Sequence, residues 1–414
     1  MAEFKSIIFY GAGYYATENI NRWEQNGLIP VCFCDADQQK HNKLFNVSGR
    51  REYKILPLDI ALDKYAEYEI YITVSKDNFK SIYEYLISYG IKKESIKHPD
   101  FIFDGKPKHC PSLGKQMFVN GISLHQCCFH SFATYLKSSG NIETDYKQWS
   151  KLCKDLNYKM SKGEICRCTG CPELMDGASE PFQFKLGCIG VGCNMPGGER
   201  CNSKCIYCGN FGHSKEGKLE AFGYSVLDVL HWVSENFKTE EFIFSCTGGE
   251  ITVSSQRDEI IEFWKEKKFK GAIATNGFIY NQGIADLLHS GIGLNCSLDA
   301  GTAETYYKIK GVNCFEKTVD NLEKYAEASI NPIYLKYIIL EGINDNEVDI
   351  YGFFKIASKL HATVILSTDY RKPSKSASQE EVWVAKLFRE LCDKNNLLLD
   401  IKSNCNGIEE LRKT

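Results

Sequence analysis

The segment Cys201-Asn-Ser-Lys-Cys205-Ile-Tyr-Cys208 places three cysteines on one short loop with the spacing C-x3-C-x2-C. Three thiolates at this spacing can each bind one iron of a [4Fe–4S] cluster, which leaves the fourth iron without a protein ligand. Clusters that only carry electrons are usually held by four cysteines, so an open iron indicates a catalytic role. The alternative is a zinc site completed by His213, because zinc also binds sets of three cysteines and one histidine.

Four further motifs follow this loop along the chain, each at the end of a predicted strand. They are Cys246-Thr-Gly-Gly-Glu250, Thr275-Asn-Gly277, Ser297-Leu-Asp299, and the run from Lys336 to Gly342 with Asn344 beyond it. Parallel (β/α) barrels build their sites at one end of the strands, so these motifs are expected to lie together. Each motif alone is a common turn or helix cap, whereas their combination in this order is specific.

The cysteine loop and the motifs after it resemble the radical S-adenosylmethionine (SAM) superfamily over residues 181–402. The resemblance implies a [4Fe–4S] cluster on Cys201, Cys205 and Cys208, with the open iron binding the amino and carboxylate groups of SAM. It further implies reductive cleavage of SAM to a 5′-deoxyadenosyl radical, which takes a hydrogen atom from the substrate. The electron would come from a donor such as flavodoxin or ferredoxin.

The same resemblance implies which residues contact SAM. The aromatic ring of Tyr207 would lie by the adenine, and the Glu250 carboxylate would pair with the SAM ammonium. The polar pair Ser297 and Asp299 would face the ribose and carboxylate of SAM. The implied contacts as a set are those of Tyr207, Gly248, Gly249, Glu250, Asn276, Ser297 and Asp299.

Residues 181–414 are predicted to form a partial (β/α)6 barrel. Six strand-like runs, near residues 181–189, 242–246, 272–275, 294–298, 333–340 and 363–366, alternate with helical segments. Six units exceed a simple nucleotide-binding sheet and fall short of the eight of a closed barrel.

Four residues of this barrel are candidate catalytic groups. Asp369 and Tyr370, followed by Arg371, come after the sixth strand and are expected to face the substrate, although a solvated loop end is the ordinary alternative. Cys246 and Cys296 lie near strand ends and could return a hydrogen atom to the substrate. Buried packing is the alternative for both thiols.

Residues 104–180 are predicted to form a cysteine-rich insert held by metal, because Gly, Pro, Lys and Cys interrupt every periodic run. Eleven of the nineteen cysteines fall between Cys127 and Cys208. The block resembles the auxiliary-cluster (SPASM-type) modules of radical SAM enzymes, except that it precedes the barrel. The preferred ligands of an auxiliary iron–sulfur cluster are Cys110, Cys128, Cys168 and Cys171, with Cys188 and Cys193 in reserve. Zinc or unliganded buried thiols are the alternatives.

Residues 1–103 alternate strand-like and helix-like runs, which predicts a Rossmann-like parallel sheet covered by helices. Gly11-Ala-Gly13-Tyr-Tyr-Ala16 approximates the G-x-G-x-x-[GA] turn, and Asp35 ends the second strand at a distance suited to a ribose hydroxyl. The segment resembles the small front domains of sugar acyltransferases, which implies a nucleotide or nucleotide-sugar ligand. A degenerate domain used for docking is the alternative.

The composition bears on which classes of partner the protein can bind. A net charge of −3 gives no indication of a nucleic-acid partner. No apolar run approaches the roughly 18 residues of a membrane span, and the amino terminus lacks a signal-peptide pattern. We therefore expect a cytoplasmic protein that has no membrane partner.

The substrate is expected to be a small molecule, a nucleotide-linked sugar that is oxidised or epimerised. A peptide or protein maturase is the alternative enzyme. An iron or zinc protein that senses redox state is the alternative without catalysis.

Overall fold

The computed structural model describes residues 5–25, 27–46, 51–101, 103–120, 123–127, 134–171, 173–177, 182, 184–192, 201–208, 224–369, 377–402 and 408. The chain divides into two compact units. The first comprises Met1–Pro111 and Asp155–Phe182, and the second comprises Ser112–Lys154 and Gln183–Thr414. The residues predicted as a separate cysteine-rich insert are therefore shared between the two units.

The strands of the described residues are, in chain order, β1 Ser6–Tyr10, β2 Cys32–Cys34, β3 Leu44–Asn46, β4 Glu52–Leu56, β5 Tyr68–Ile72, β6 Ile96–Lys97, β7 Lys108–His109, β8 Gln116–Asn120, β9 Ser123–His125, β10 Tyr135–Lys137, β11 Met175–Asp176, β12 Cys188–Gly192, β13 Ile243–Thr247, β14 Lys270–Thr275, β15 Gly293–Ser297, β16 Tyr334–Ile339, β17 Thr363–Thr368 and β18 Leu399–Lys402.

The α-helices are α1 Tyr14–Gln25, α2 Leu58–Lys64, α3 Lys76–Ser88, α4 Ile142–Ser161, α5 Val226–Asn236, α6 Arg257–Lys267, α7 Gln282–His289, α8 Ala303–Lys310, α9 Phe315–Ala328, α10 Glu347–Lys359 and α11 Gln379–Lys394. Five of them begin after a residue whose side chain accepts an N–H of the first turn, namely Ser225, Asn281, Thr302, Asn346 and Ser378. No helix in the described part of the chain combines the length and apolar character of a membrane span.

The first unit contains a six-stranded sheet in the order β3-β4-β2-β1-β5-β6. Only the β3–β4 pair is antiparallel. Successive residues of β1 supply two cores, because Ile8 packs on one side of the sheet while Phe9 packs with Trp23 and Phe33 on the other. The unit is a mixed α/β structure, and its Rossmann-like assignment stays a prediction.

The second unit contains a ten-stranded sheet in the order β10-β9-β8-β12-β13-β14-β15-β16-β17-β18. From β12 to β18 the strands are parallel and follow one another in chain order. Crossovers between parallel strands are right-handed, so a sheet built in one direction carries its helices on one face. Phe244 accordingly packs on Trp264 of α6, and Tyr337 packs on Phe353 of α10.

Three parts of this sheet differ from the sequence prediction. The strand expected at residues 181–189 is observed at Cys188–Gly192, and a further parallel strand, β18, follows α11. The segment expected to be irregular contributes β8, β9 and β10 to the sheet, because the buried Met117, Val119 and Leu124 supply an apolar side. The described part of the unit therefore has more strands than six (β/α) repeats would give, and its closure into a barrel stays a prediction.

Candidate active site

The cysteine loop, residues 201–208, is attached to the end of α8 by its backbone. The amides of Lys204 and Ile206 donate to the carbonyl oxygens of Lys310 and Ile309 at 2.8 and 2.9 Å. Gly311 follows α8 with φ +68°, and a Cβ added there would lie 2.9 Å from the Lys204 Cβ. Glycine therefore both ends the helix and lets the loop approach it closely.

All three thiols of the loop are half-buried. The Ser203 hydroxyl lies 3.0 Å from the Cys205 sulfur, and the Asn276 amide lies 3.7 Å from the Cys201 sulfur. Burial raises the pKa of Cys201 to about 11, although a backbone hydrogen bond from Ser203 opposes this shift. Such a thiol is protonated at neutral pH until a metal replaces the proton.

The donor set fits a cluster with one open iron, since three thiols share one short loop that is fixed at both its backbone and its side chains. Within the described residues, no group of three or more His, Cys, Asp or Glu side chains converges as a metal site. The ligand assignment therefore rests on the spacing of the cysteines and stays a prediction for Cys201, Cys205 and Cys208.

A buried ion pair joins the cysteine loop to the sheet. Asp299 follows β15, and its carboxylate accepts a hydrogen bond of 2.5 Å from the Lys310 ammonium and one of 2.6 Å from the Tyr207 hydroxyl. Lys310 also donates to the Tyr207 oxygen at 2.6 Å. The side chains of Asp299 and Lys310 are 0% and 2% exposed, so the pair interacts in a medium that screens charge poorly.

The backbone of Asp299 is held as firmly as its side chain. Its φ is +58°, in the left-handed region that aspartate tolerates better than most residues. The second carboxylate oxygen accepts the Ile338 amide at 2.8 Å, and the Asn344 amide donates to the Asp299 carbonyl at 2.8 Å. Asp299 thus connects β15, β16, α8 and the cysteine loop.

Lys310 is the residue of this cluster that the sequence does not reveal. Burial alone would lower its pKa, but the Asp299 charge raises it, so the amine stays charged. Burial and the same carboxylate raise the pKa of Tyr207 well above its usual range. Tyr207, predicted to lie by the adenine, is buried and paired with Asp299.

Glu250 organises the ends of β13 and β14. It is 1% exposed, and one carboxylate oxygen accepts the Thr252 amide, the Thr252 hydroxyl and the Thr275 hydroxyl at 2.7–3.0 Å. The other oxygen accepts the Asn276 amide at 2.6 Å. Both oxygens are engaged within the protein, which favours a positioning role over the direct ion pair with SAM that the resemblance implied.

The remaining predicted SAM contacts lie at the same strand ends. Gly248 and Gly249 have φ +71° and +68°, a conformation that glycine adopts without strain. The Asn276 side chain donates to Asn202 at 2.6 Å and so reaches the cysteine loop. Ser297 is the last residue of β15, two positions before Asp299, and is half-buried. The structure thus gathers four of the predicted motifs around one loop.

The predicted catalytic residues divide into three cases. Cys246 and Cys296 are 0% exposed, whereas the residues on either side of each along its strand are half-buried, which favours the packing interpretation. Burial raises the pKa of Cys296 to about 12. Asp369 is buried just after β17, whereas Tyr370 and Arg371 lie outside the described residues, as does His213.

The auxiliary cysteines divide between the units. Cys110, Cys168 and Cys171 belong to the first unit together with Cys166, which the sequence did not single out as a ligand. A hydrogen bond with Cys166, burial, and the nearby Cys110 and Cys171 raise the pKa of Cys168. Cys188 lies in β12 of the second unit, and Cys128 and Cys193 lie outside the described residues.

A lysine accompanies these thiols in the first unit. The Lys76 ammonium donates to the carbonyl oxygens of Arg167 and Thr169. Burial lowers its pKa to about 8, and the charges of neighbouring cysteines oppose that shift. Lys76 thus fixes the turn that carries Cys166, Cys168 and Cys171.

The Gly11–Ala16 turn of the first unit is stabilised by contacts with other residues of that unit. Gly11 has φ +116° and lies so close to the residues just after β5 that an added Cβ would be 2.8 Å from Val74, whereas a Cβ at Gly13 would meet open space. Asp35 accepts the Ala12 amide at 2.8 Å and the Lys40 ammonium at 2.9 Å. Its carboxylate is therefore occupied by the turn, and its predicted ribose contact stays untested.

Comparison with known proteins identifies the class to which this site belongs. Residues 195–354 match the family described as the Radical SAM superfamily, so the chain contains a radical SAM domain. This superfamily uses a [4Fe–4S] cluster and SAM, which confirms the cofactors predicted from the cysteine loop.

Relatives of known sequence share part of the chain. It is 30% identical over 152 residues to a protein of Archaeoglobus fulgidus described as "Probable GTP 3′,8-cyclase", covering 36% of this chain and 50% of the relative. It is 29% identical over 154 residues to the GTP 3′,8-cyclase of Clostridium acetobutylicum, covering 36% and 48%. The chain thus spans about half the length of these relatives.

Solved structures that resemble the chain include Streptococcus suis SuiB bound to S-adenosylmethionine, with 15% identity and a TM-score of 0.40 over 52% of this chain and 49% of that one. SuiB bound to the precursor peptide SuiA has 13% identity and a TM-score of 0.41, over 64% and 55%.

Proposed function

We propose that this protein is a radical SAM enzyme that cleaves SAM reductively and takes a hydrogen atom from a small-molecule substrate. The observation that carries the proposal is the buried Tyr207–Asp299–Lys310 cluster, which fixes the cysteine loop against the end of β15. When bound, a [4Fe–4S] cluster on Cys201, Cys205 and Cys208 together with SAM would supply one-electron cleavage and a hydrogen-abstracting radical.

The protein's own residues would position these groups. Asp299 and Lys310 would keep the cysteine loop in one arrangement, because moving the loop would expose or separate a buried ion pair. Glu250 would hold the backbone of Asn276, whose side chain faces the loop. Preorganisation of this kind lowers the cost of reaching the reactive geometry.

The substrate we propose is a nucleotide-linked sugar that is oxidised or epimerised. Two observations support a nucleotide in the substrate. The Gly11–Ala16 segment forms the turn into α1, and the relatives are described as cyclases of GTP, a guanine nucleotide. Asp35 does not add to this support, because both its oxygens accept hydrogen bonds from the turn residues and their neighbours.

The substrate class has a direct test in the reconstituted full-length protein under anaerobic conditions with SAM and a strong reductant. Nucleotide sugars are expected to increase the rate of 5′-deoxyadenosine formation by about tenfold over the rate without substrate, which corresponds to about 1.4 kcal/mol of barrier. The matched control is the free sugar. Stimulation by a peptide and not by nucleotide sugars would replace this proposal with a peptide-modifying activity.

Glu250→Gln tests the positioning role of the carboxylate. The amide group of glutamine can keep the bonds from Thr252 and Thr275, but its NH2 would face the Asn276 amide, so one donor loses its acceptor. We expect the free energy of unfolding to fall by about 1–3 kcal/mol and SAM to bind about tenfold more weakly, with the cluster retained. Urea unfolding and calorimetric titration with SAM measure the two effects.

The matched control is Glu259→Gln, which makes the same change at an exposed position of α6. This control is expected to alter the free energy of unfolding by less than about 0.5 kcal/mol. Equal stability of wild type and Glu250→Gln, with unchanged SAM affinity, would reduce Glu250 to an ordinary turn residue.

A further inference from the structure

Two polar side chains that are not predicted ligands lie against the sulfurs of the cysteine loop. The Ser203 hydroxyl lies 3.0 Å from the Cys205 sulfur, and the Asn276 amide nitrogen lies 3.7 Å from the Cys201 sulfur. Hydrogen bonds to the ligand sulfurs are one of the features that set the reduction potential of an iron–sulfur cluster. These two contacts therefore bear on how readily a cluster on this loop accepts an electron.

Ser203 can turn its hydroxyl hydrogen toward Cys205 without leaving a neighbouring group unpaired. It is 3% exposed, and its hydroxyl also lies 3.2 Å from the Lys310 carbonyl oxygen. That carbonyl accepts the Lys204 amide at 2.8 Å, so it keeps a donor when the hydroxyl turns away. A cysteine that binds metal has lost its proton, so its sulfur can only accept. The Ser203 hydroxyl is therefore drawn to the sulfur, because a hydrogen bond to a charged acceptor is the stronger of the two.

The Cys201 sulfur receives two donors. One is the Ser203 backbone amide, so this serine contacts two of the three sulfurs. The other is Asn276, whose side-chain oxygen accepts the Phe278 amide at 3.0 Å, which fixes the orientation of the group. Its NH2 then directs one hydrogen to the Asn202 oxygen at 2.6 Å and the other to the Cys201 sulfur.

We propose that Ser203 and Asn276 set the reduction potential of a [4Fe–4S] cluster on this loop. Both are positioning residues that act through the ligand sulfurs, because a donor at the sulfur stabilises the more negative, reduced form of the cluster. The proposal rests on the proposed function, in which the electron comes from a donor such as flavodoxin or ferredoxin. That donor loses the one electron that the cluster gains, and the hydrogens stay on the serine oxygen and the asparagine nitrogen.

The test measures the potential in Ser203→Ala, Asn276→Ala and the double variant, each reconstituted as the full chain. Redox titration followed by electron paramagnetic resonance is made without SAM, so that altered SAM binding cannot move the result. The loop cluster is the signal that is lost when Cys201, Cys205 and Cys208 are all replaced by alanine. We expect each single variant to shift the reduction equilibrium about threefold toward the oxidised form, and the double variant about tenfold. A tenfold shift of a one-electron couple makes the potential about 59 mV more negative.

Further variants separate an effect on the potential from a loss of structure. Ser203→Thr keeps the hydroxyl and is expected to keep the wild-type potential. Thr318→Val removes a different buried hydroxyl, one that donates to the Cys314 carbonyl oxygen, and should leave the potential unchanged. Iron content and urea unfolding show which variants retain the cluster and the fold. If Ser203→Ala loses its iron, Asn276→Ala decides the test.

Wild-type potentials in both alanine variants, with iron retained, overturn the proposal. An equal shift in Thr318→Val also overturns it, because general loosening of the site would then be the cause. A wild type that holds the loop cluster but does not cleave SAM instead contradicts the proposed function, and the measured potentials still stand.

Discussion

Simultaneous replacement of Cys201, Cys205 and Cys208 by alanine is expected to abolish formation of 5′-deoxyadenosine from SAM. The loop is the predicted source of the cluster, and removing all three ligands leaves no thiolate in it to bind iron. We expect the rate to fall at least a thousandfold, measured by chromatography of the reaction products under anaerobic reducing conditions. A variant that cleaves SAM at the wild-type rate would refute the proposed function.

Iron and sulfide analysis of the same variant addresses the auxiliary thiols. If Cys110, Cys166, Cys168 and Cys171 of the first unit hold a second cluster, the triple variant should retain iron and sulfide, and the wild type should contain more than four irons per chain. Cys314→Ala, at a half-buried cysteine just before α9, is the matched control and should change neither value. Stoichiometric zinc in the wild type would mean that the auxiliary thiols form a zinc site and not an iron–sulfur cluster.

Asp299→Asn is expected to be the most destabilising single substitution in the site. Asparagine tolerates the left-handed backbone and keeps an oxygen for the Ile338 amide. Its NH2 group replaces the oxygen that accepts from Lys310 and Tyr207, so the change removes both the charge and that acceptor. It leaves the Lys310 ammonium buried without a counterion, which costs about 3–5 kcal/mol of unfolding free energy. Urea unfolding of the protein before cluster reconstitution measures this cost independently of activity.

Lys310→Met and the double variant complete the cycle. Each single substitution leaves one buried charge without a partner, whereas the double variant leaves none. The double variant should therefore lose less unfolding free energy than the sum of the two single losses, by about 2–3 kcal/mol. The exposed Lys308–Glu304 pair on the same helix supplies the matched control. Lys308→Met should cost less than about 1 kcal/mol. Additive effects of Asp299→Asn and Lys310→Met would mean that the pair does not act as a unit.

The class of site can be predicted from the sequence because the predicted metal ligands lie close together along the chain. The three cysteines of the loop fall within eight residues, so their spacing carries the chemistry without knowledge of the fold. The superfamily match over residues 195–354 confirms the predicted class, and the assignment of the three cysteines as ligands stays a prediction. The order of the later motifs was equally visible, since each follows a strand whose apolar run can be recognised.

The partners of those motifs could not be predicted. In the structure Asp299 is bound by Lys310. From the sequence, a lysine at the end of a short helix is expected to be an exposed cation near the negative end of the helix dipole. The helix itself, α8, has only eight residues, which is shorter than the window over which helical periodicity can be recognised. Which charge is buried depends on how distant segments pack, and no local pattern records it.

The secondary structure of residues 104–180 also depends on contacts with distant parts of the chain that no local pattern reveals. Gln116–Asn120 is only five residues long, and it becomes a strand because β12 and β9 lie on either side of it. Periodicity over so few residues does not separate a strand from a loop. A segment interpreted from its cysteines as metal-held is thus partly held by hydrogen bonds to neighbouring strands.

The division of the chain between the units has a consequence for biosynthesis. The chain leaves the first unit after Pro111, builds β8, β9 and β10 of the second, and re-enters the first at Asp155. The first unit therefore cannot be complete on the ribosome until Phe182 has emerged, and β8 must wait for β12 before it has a parallel neighbour. Neither unit is one uninterrupted stretch, so a single cut cannot excise either of them intact, and each is completed by a segment that is synthesised after part of the other.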